Sequence, residues 1–394
     1  MVPNVAHFGD VSKEIYLRGL AGQRPELPMT ADGLEAAAQR VLPAEAFGYV
    51  AGGASTERTV AANREAFVRW RIVPRMLRRV IERDLSTTVL GTSMTAPVLT
   101  APIGALGLVH PDADLAVTRA AAALGLTSVL STMSSTTLED VAAAVGDAGR
   151  WFQLYWPRDP ALAQSLVGRA EAAGYQAIVV TVDTWSLSWR PRDLQLAHLP
   201  FLHGKHIANY LSDPVFRARL DTPPEESAQA MQEAVRTWME LFGNPALSWL
   251  DLSVLREWTQ LPVLIKGICH PDDARTALEH GADGVVVSNH GGRQVDGARA
   301  ALECLPDVVA AVNGRAPVLL DSGIRCGADV LIALALGAHA VLLGRPWVYG
   351  LGLAGRSGVE HVLRAVLGDL DLMLALAGYS RPADLNARSI VRES

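Results

Sequence analysis

At 394 residues and 49% hydrophobic, the chain has ample apolar material for a large core. That length fits two or three ordinary domains or one α/β barrel with insertions. A net charge of −6 excludes nucleic acid as the main partner. No stretch reads as a membrane span, because the most apolar run, Val330–Leu343, is too short and is interrupted by Gly337 and His339.

Taken in chain order, Met1–Glu14 carries His7, Asp10 and Lys13 and has no apolar core, so it does not read as a signal peptide. Residues 1–85 form an N-terminal segment with helical patterns near Ala31–Arg40 and Glu57–Phe67. Arg75, Arg78, Arg79 and Arg83 form a basic cluster whose default reading is a solvated face. A hairpin is expected around Thr87–Met94. From there β-rich runs alternate with Ala-rich helical ones. The runs are Val98–Ala101, Thr127–Leu130, Trp151–Tyr155, Ala177–Thr181, Val263–Lys266, Gly284–Ser288, Val318–Asp321 and Ala340–Gly344. Helices are expected at Asp112–Leu124, Leu138–Val145, Pro160–Ala173, Pro271–His280, Ala301–Asn313 and Gly327–Leu336, and another beginning near Asp251. This alternation implies a parallel sheet covered by helices. Eight units predict a closed (β/α)8 TIM barrel over residues 86–394, within a single domain spanning 1–394. An open doubly wound sheet is the alternative. The long stretch 184–249, after the fourth strand, is read as a lid-like insertion.

Polar residues fall at the carboxyl ends of these strands: Ser131, Gln153 and Tyr155, Thr181 and Asp183, Lys266, Ser288 to His290, Asp321, and Gly344-Arg345. A barrel gathers such ends into one rim, where its active sites lie. The densest group is Ser288-Asn289-His290-Gly291-Gly292-Arg293-Gln294, directly after an apolar strand. His290 can take a proton near neutral pH, and Arg293 can grip a carboxylate with two parallel hydrogen bonds. A base and an anion clamp this close point to chemistry on a small carboxylic acid; the alternative is a surface turn with a structural histidine. Arg325 and Arg345, on the loops after the last two strands, suit a phosphate group. Lys266 could form a Schiff base, stabilise negative charge on a cofactor, or make a structural ion pair. Asp183 could orient His290 or cap the segment that follows it. Gly350-Leu351-Gly352-Leu353-Ala354-Gly355 matches the dinucleotide fingerprint but does not directly follow a strand, so it reads as small residues in a helix packed on the barrel. The histidines are scattered without ligand spacing, and no metal site is expected. The three cysteines, Cys269, Cys304 and Cys326, are odd in number and lack metal-type spacing. They point to a reducing compartment without disulfides, and a cytoplasmic protein is expected.

The seven-residue group, with Lys266-Gly267 before it and Asp321-Ser322-Gly323-Ile324-Arg325 after it, resembles the FMN-dependent 2-hydroxy-acid oxidising enzymes. That family includes glycolate oxidase, lactate oxidase and mandelate dehydrogenase. The similarity spans nearly the whole chain, and its lactate 2-monooxygenase group is the nearest form. The group match rests on Tyr49-Val50-Ala51-Gly52-Gly53, Asp183-Thr184-Trp185 and Trp189-Arg190-Pro191-Arg192-Asp193, among others. The resemblance implies an L-2-hydroxy acid, above all L-lactate, and O2 as small-molecule partners, FMN as cofactor, and a homotetramer or larger assembly to which the tail Gly378–Ser394 contributes. It implies that His290 is the base with Asp183 beside it, and that Arg293 and Arg190 bind the substrate carboxylate. Tyr49 and Tyr155 would hydrogen-bond the substrate, and Lys266 would face the flavin's N1–O2 edge. Ser131, Gln153, Thr181 and Ser288 would hold the isoalloxazine with the backbone of Pro102, Ile103 and Gly104. Asp321, Gly323, Arg325, Gly344 and Arg345 would hold the ribityl and phosphate. Ser322, Gly104 and Met133 depart from the commoner family pattern: many members have Ala at the Gly104 position, and glycolate oxidase has Trp at the Met133 position.

Overall fold

The computed structural model describes residues 7–393. Eight parallel strands follow one another round a closed barrel: β1 (Val98–Thr100), β2 (Thr127–Ser131), β3 (Arg150–Leu154), β4 (Ile178–Thr181), β5 (Val263–Ile268), β6 (Gly284–Val287), β7 (Val318–Leu320) and β8 (Ala340–Leu343). Strand alternation assigns the two faces. Leu99, Val129, Trp151, Val179, Leu264, Val286, Leu319 and Leu342 pack together inside the cylinder. Their neighbours Val98, Leu130, Phe152, Ile178, Val285 and Leu343 pack outward on the helices. The helices are α1 (Ala113–Ala123), α2 (Leu138–Val145), α3 (Pro160–Ala172), α4 (Trp249–Trp258), α5 (Pro271–Glu279), α6 (Ala301–Val312), α7 (Gly327–Ala335) and α8 (Arg345–Leu376). The (β/α)8 expectation holds.

The hairpin of Thr87–Val89 and Thr92–Met94 contributes Val89 and Met94 to the interior cluster. Thr92 Oγ1 accepts from Trp151 Nε1 at 3.0 Å, so the hairpin plugs the cylinder. Strand β5 runs two residues further than expected, through a register shift between Lys266 and Ile268. Gly267, at φ +111, sits at that shift, where a Cβ would lie 2.8 Å from the Cβ of Asp183. The expected Gly-rich helix is a broken one: α8 departs from helical geometry at Ala354 and Gly355. Gly350 lies so close to Gly358 across the break that a Cβ on Gly350 would stand 2.4 Å from the Gly358 carbonyl oxygen.

Four helices precede the barrel, Asp10–Leu20, Ala31–Val41, Ala44–Ala51 and Arg58–Val68; the first and third have no counterpart in the sequence reading. The stretch read as lacking a leader lies partly outside the described residues. Ile390–Arg392, in the tail, pairs antiparallel with Trp70–Ile72 of its own chain. The basic cluster is not wholly solvated: Arg83 forms two hydrogen bonds, of 2.7 and 2.9 Å, with the buried carboxylate of Asp371. Cys269, Cys304 and Cys326 are free thiols. No helix among the described residues is long and apolar enough to cross a membrane.

Arg58–Val68 is tied to the rim by a reciprocal amide pair. Asn63 Nδ2 donates to Asn289 Oδ1, and Asn289 Nδ2 donates to Asn63 Oδ1, both at 2.8 Å and both buried. Asn63 Oδ1 also accepts from Ala301 N, and Asn289 Oδ1 from Gly292 N. An Asn63→Leu change would leave the buried Ala301 N–H unpaired, costing about 1–3 kcal/mol, and would take one bond from each end of the Asn289 amide, which keeps Gly292 N and Arg299 O. A lowered Tm is expected, and thermal unfolding of the variant beside the parent checks it.

Candidate active site

The strands deliver their carboxyl ends to one pocket of about 1030 Å³, counting its mouth. Tyr49, Pro102, Ile103, Gly104, Ser131, Tyr155, Arg190, Lys266, His290, Arg293, Asp321, Gly323, Arg325, Gly344 and Arg345 all line it. Four other expected residues, Gln153, Thr181, Asp183 and Ser288, do not line this pocket. Gln153 accepts from Ser131 Oγ at 3.1 Å, and Ser288 Oγ accepts from Lys266 Nζ at 3.1 Å. Asp183 sits behind His290, and Thr181, whose hydroxyl is buried without a partner, borders a neighbouring cavity.

Asp183 Oδ1 lies 2.8 Å from His290 Nδ1. Thr184 Oγ1 donates to the same carboxylate oxygen at 2.8 Å and is 3.0 Å from Nδ1. The free ring atom, Nε2, is 3.5 Å from the Tyr155 hydroxyl. Burial pushes His290 below the usual imidazole range, Lys266 and Arg190 push the same way, and Asp183 opposes them. Burial works against ionised Asp183, but His290 and Lys266 beside it, with hydrogen bonds from His290 and Thr184, hold its carboxyl at about 2. A neutral imidazole backed by a carboxylate is a base poised to accept a proton and keep it. Burial raises Tyr155 to about 12 and raises Tyr49 as well, so both hydroxyls are neutral donors.

Lys266 is 3% exposed, with Nζ 3.3 Å from Asp321 Oδ2 and 4.0 Å from Asp183 Oδ2. Burial alone would lower its pKa, but Asp321 and then Asp183 outweigh burial and raise it. An amine kept protonated is a poor nucleophile, so the Schiff-base reading is set aside. Asp321, expected only against the ribityl chain, is also the counter-ion of this ammonium.

Arg293 does not present a free fork. Its Nη1 donates to the carbonyls of Tyr49 and Gly52 at 2.5 and 2.8 Å, and its guanidinium lies 5.0 Å from the centre of the Tyr49 ring. Arg190 Nη2 donates to Gln294 Oε1 at 2.8 Å. Arg293 Nη2 and Arg190 Nη1 have no acceptor among the described residues, so a carboxylate would take one donor from each. Burial, with Arg293 next to it, lowers Arg190 to about 10, still cationic at neutral pH.

At the other end, Arg345 hydrogen-bonds only backbone carbonyls, those of Val50, Gly291 and Gly52. Burial, then Arg293 and Arg325 nearby, lowers it to about 9. Neither Arg325 nor Arg345 has a carboxylate within ion-pair distance among the described residues. Gln153 Nε2 and Arg325 Nε are buried donors without partners. Two half-buried guanidinium groups beside Gly323 and Gly344, with spare amide and ammonium donors further in, fit a phosphate-bearing planar cofactor.

The FMN-dependent dehydrogenase pattern matches residues 38–392. The chain belongs to that family. FMN is accordingly its cofactor, and the donor set just described suits it; the reaction class is oxidation of a 2-hydroxy acid. An L-lactate oxidase of Lysinibacillus sphaericus is 42% identical over 379 residues, 96% of each chain. The human 2-hydroxyacid oxidase 1 is 41% identical over 343 residues, 86% of this chain and 90% of that one. A crystal structure of mandelate oxidase superposes with a TM-score of 0.81 at 39% identity, covering 93% of this chain and 98% of the other.

Several residues of this family site went unread in the sequence. Thr184 could have been found, as a hydroxyl next to an acid at a strand end. Gln294 stands within the central motif, yet its role as a strut appears only in space: its Nε2 donates to the carbonyls of Asp183 and Ser186 at 2.9 and 3.0 Å. Leu187, Phe201 and Phe242 line the pocket from the insertion, and nothing in their spacing marked them.

Proposed function

We propose that this chain oxidises L-lactate with O2 and releases acetate, carbon dioxide and water, the lactate 2-monooxygenase outcome. One observation carries the oxidation of a hydroxy acid: His290, backed by Asp183 at 2.8 Å, shares a pocket with two guanidinium groups that keep a donor unspent. The monooxygenase outcome rests on the resemblance of Tyr49–Gly53, Asp183–Trp185 and Trp189–Asp193 to that group. Bound FMN supplies the two-electron acceptor. His290 Nε2 takes the proton from the substrate, and Asp183 stabilises the imidazolium that results. Arg190 and Arg293 hold the carboxylate, and Tyr49 and Tyr155 orient the acid as hydrogen-bond donors, converting binding into alignment. Lys266 keeps positive charge where Ser131, Gln153, Thr181, Ser288 and the Pro102–Gly104 backbone hold the ring system. Asp321, Gly323, Arg325, Gly344 and Arg345 hold the ribityl and phosphate. Met133, Phe201 and Phe242 give the acid's side group an apolar wall. The insertion of residues 184–249 acts as a lid that slows loss of the 2-oxo acid, so that it meets peroxide before leaving. The working protein is a cytoplasmic homotetramer or larger assembly, testable by size-exclusion chromatography with light scattering.

The second reading is an oxidase that releases the 2-oxo acid and hydrogen peroxide, favoured by the name of the relative that is 42% identical. A dehydrogenase passing electrons to a quinone or carrier keeps the same residues. Product analysis under air separates them. Acetate without free peroxide is expected; pyruvate and peroxide in equal amounts would replace the proposal with the oxidase. Reduced enzyme that air fails to oxidise would point to the dehydrogenase.

A further inference from the structure

A second cavity adjoins the active-site pocket, enclosing about 1140 Å³ with its mouth. Trp156, Trp249, Val180 and Leu252 supply much of its wall, and Trp185, 57% exposed, stands at its edge. No charged side chain lines it. Tyr155 and Thr184 line both spaces and so form the partition. Both side chains also touch His290, at 3.5 Å from Nε2 and 3.0 Å from Nδ1. The two ends of the insertion cross here: a Cβ on Gly243 would lie 2.2 Å from the Trp185 carbonyl oxygen.

The two spaces differ in what they admit. The active-site pocket, with Arg190, Arg293, Lys266 and His290, favours a carboxylate. The uncharged, aromatic cavity penalises one, because a carboxylate entering it would lose hydration without a cationic partner. A small apolar molecule faces no such cost. In the monooxygenase outcome the 2-oxo acid still occupies the charged pocket when O2 has to react, so the substrate's own entrance is blocked at that moment.

We propose that the aromatic cavity is the route by which O2 reaches the site, entering beside Trp185 and crossing between Tyr155 and Thr184. The inference rests on the monooxygenase reading above. Apolar cavities take up xenon, which serves as the probe. Crystals of the FMN-loaded enzyme under xenon pressure are expected to show xenon against Val180, Leu252 and Trp249, and Leu252→Trp crystals are expected to lack it. In stopped flow, Leu252→Trp should lower the second-order constant for oxidation of the lactate-reduced enzyme by O2 several-fold, with anaerobic reduction by L-lactate unchanged. Leu247→Trp, at a half-buried loop position in the same wall, gives the same reading if Leu252→Trp does not fold. A xenon-free cavity in the parent, or an undiminished oxygen constant in folded variants, overturns the route alone. Reduced parent enzyme that O2 does not oxidise overturns the monooxygenase reading, and the route falls with it.

Discussion

His290→Asn is expected to lower kcat for hydroxy-acid oxidation by about 10²–10⁴-fold, the usual worth of a positioned base, with FMN content and Tm near those of the parent. Asparagine suits the position because His290 sits at φ +57, a left-handed conformation that asparagine tolerates better than most residues. The proposed base is Nε2, since Nδ1 is committed to Asp183 at 2.8 Å. The pH profile carries the same argument with its sign. Burial pushes the imidazole pKa below its ordinary 6.5, with Lys266 and Arg190 adding to the shift and Asp183 opposing it. The base is therefore unprotonated at a pH where a free imidazole would be half charged. The acid limb of kcat/KM should lie below 6.5 and vanish in His290→Asn. Asp183→Asn removes the one charge that raises the imidazole pKa, so its limb should move to lower pH while kcat falls. A parent limb above 6.5, or one that survives loss of the imidazole, would remove His290 from the role.

The barrel was legible because the strands are short, most are rich in β-branched residues and followed by a polar group, and because a parallel sheet leaves both faces of its strands buried. Rim residues could be read wherever they stand at or shortly after the carboxyl end of a strand, as Lys266 near the end of β5, His290 after β6 and Asp321 after β7 do. Ala44–Ala51, which carries Tyr49, was not legible: eight residues with an internal Gly48 offer too few turns for periodicity to register. Tyr49 entered only through family resemblance. Thr181 stands at its strand end as the order of residues assigns it, on the same face of β4 as the interior Val179, and its hydroxyl is buried without a partner. Arg293 was read as a free clamp because sequence cannot show that the carbonyls of Tyr49 and Gly52 would claim one arm. Likewise the partner of Arg83 lies 288 residues away, at Asp371, beyond any local pattern.

Lys266→Met is expected to lower kcat by about 10²–10³-fold, the scale for removing one preorganised group from developing charge. It should also cost stability, unlike the histidine change. The ammonium neutralises Asp321 at 3.3 Å and stands 4.0 Å from Asp183. Methionine matches the stem but leaves two carboxylates in a buried site with no cation among them, a loss of about 3–5 kcal/mol when one partner of a buried pair is removed. The pH response should also run opposite to that of Asp183→Asn. Lys266 lowers the His290 pKa, so its loss moves the acid limb to higher pH. It also removes one of the charges holding the Asp183 carboxyl at about 2, and that carboxyl should rise. Lys266→Arg separates charge from shape: a guanidinium restores the positive charge and should return the limb toward the parent position, even where its bulk keeps kcat low. If Lys266→Met and Lys266→Arg shift the limb equally, the ammonium acts through packing and the electrostatic account of this rim is wrong.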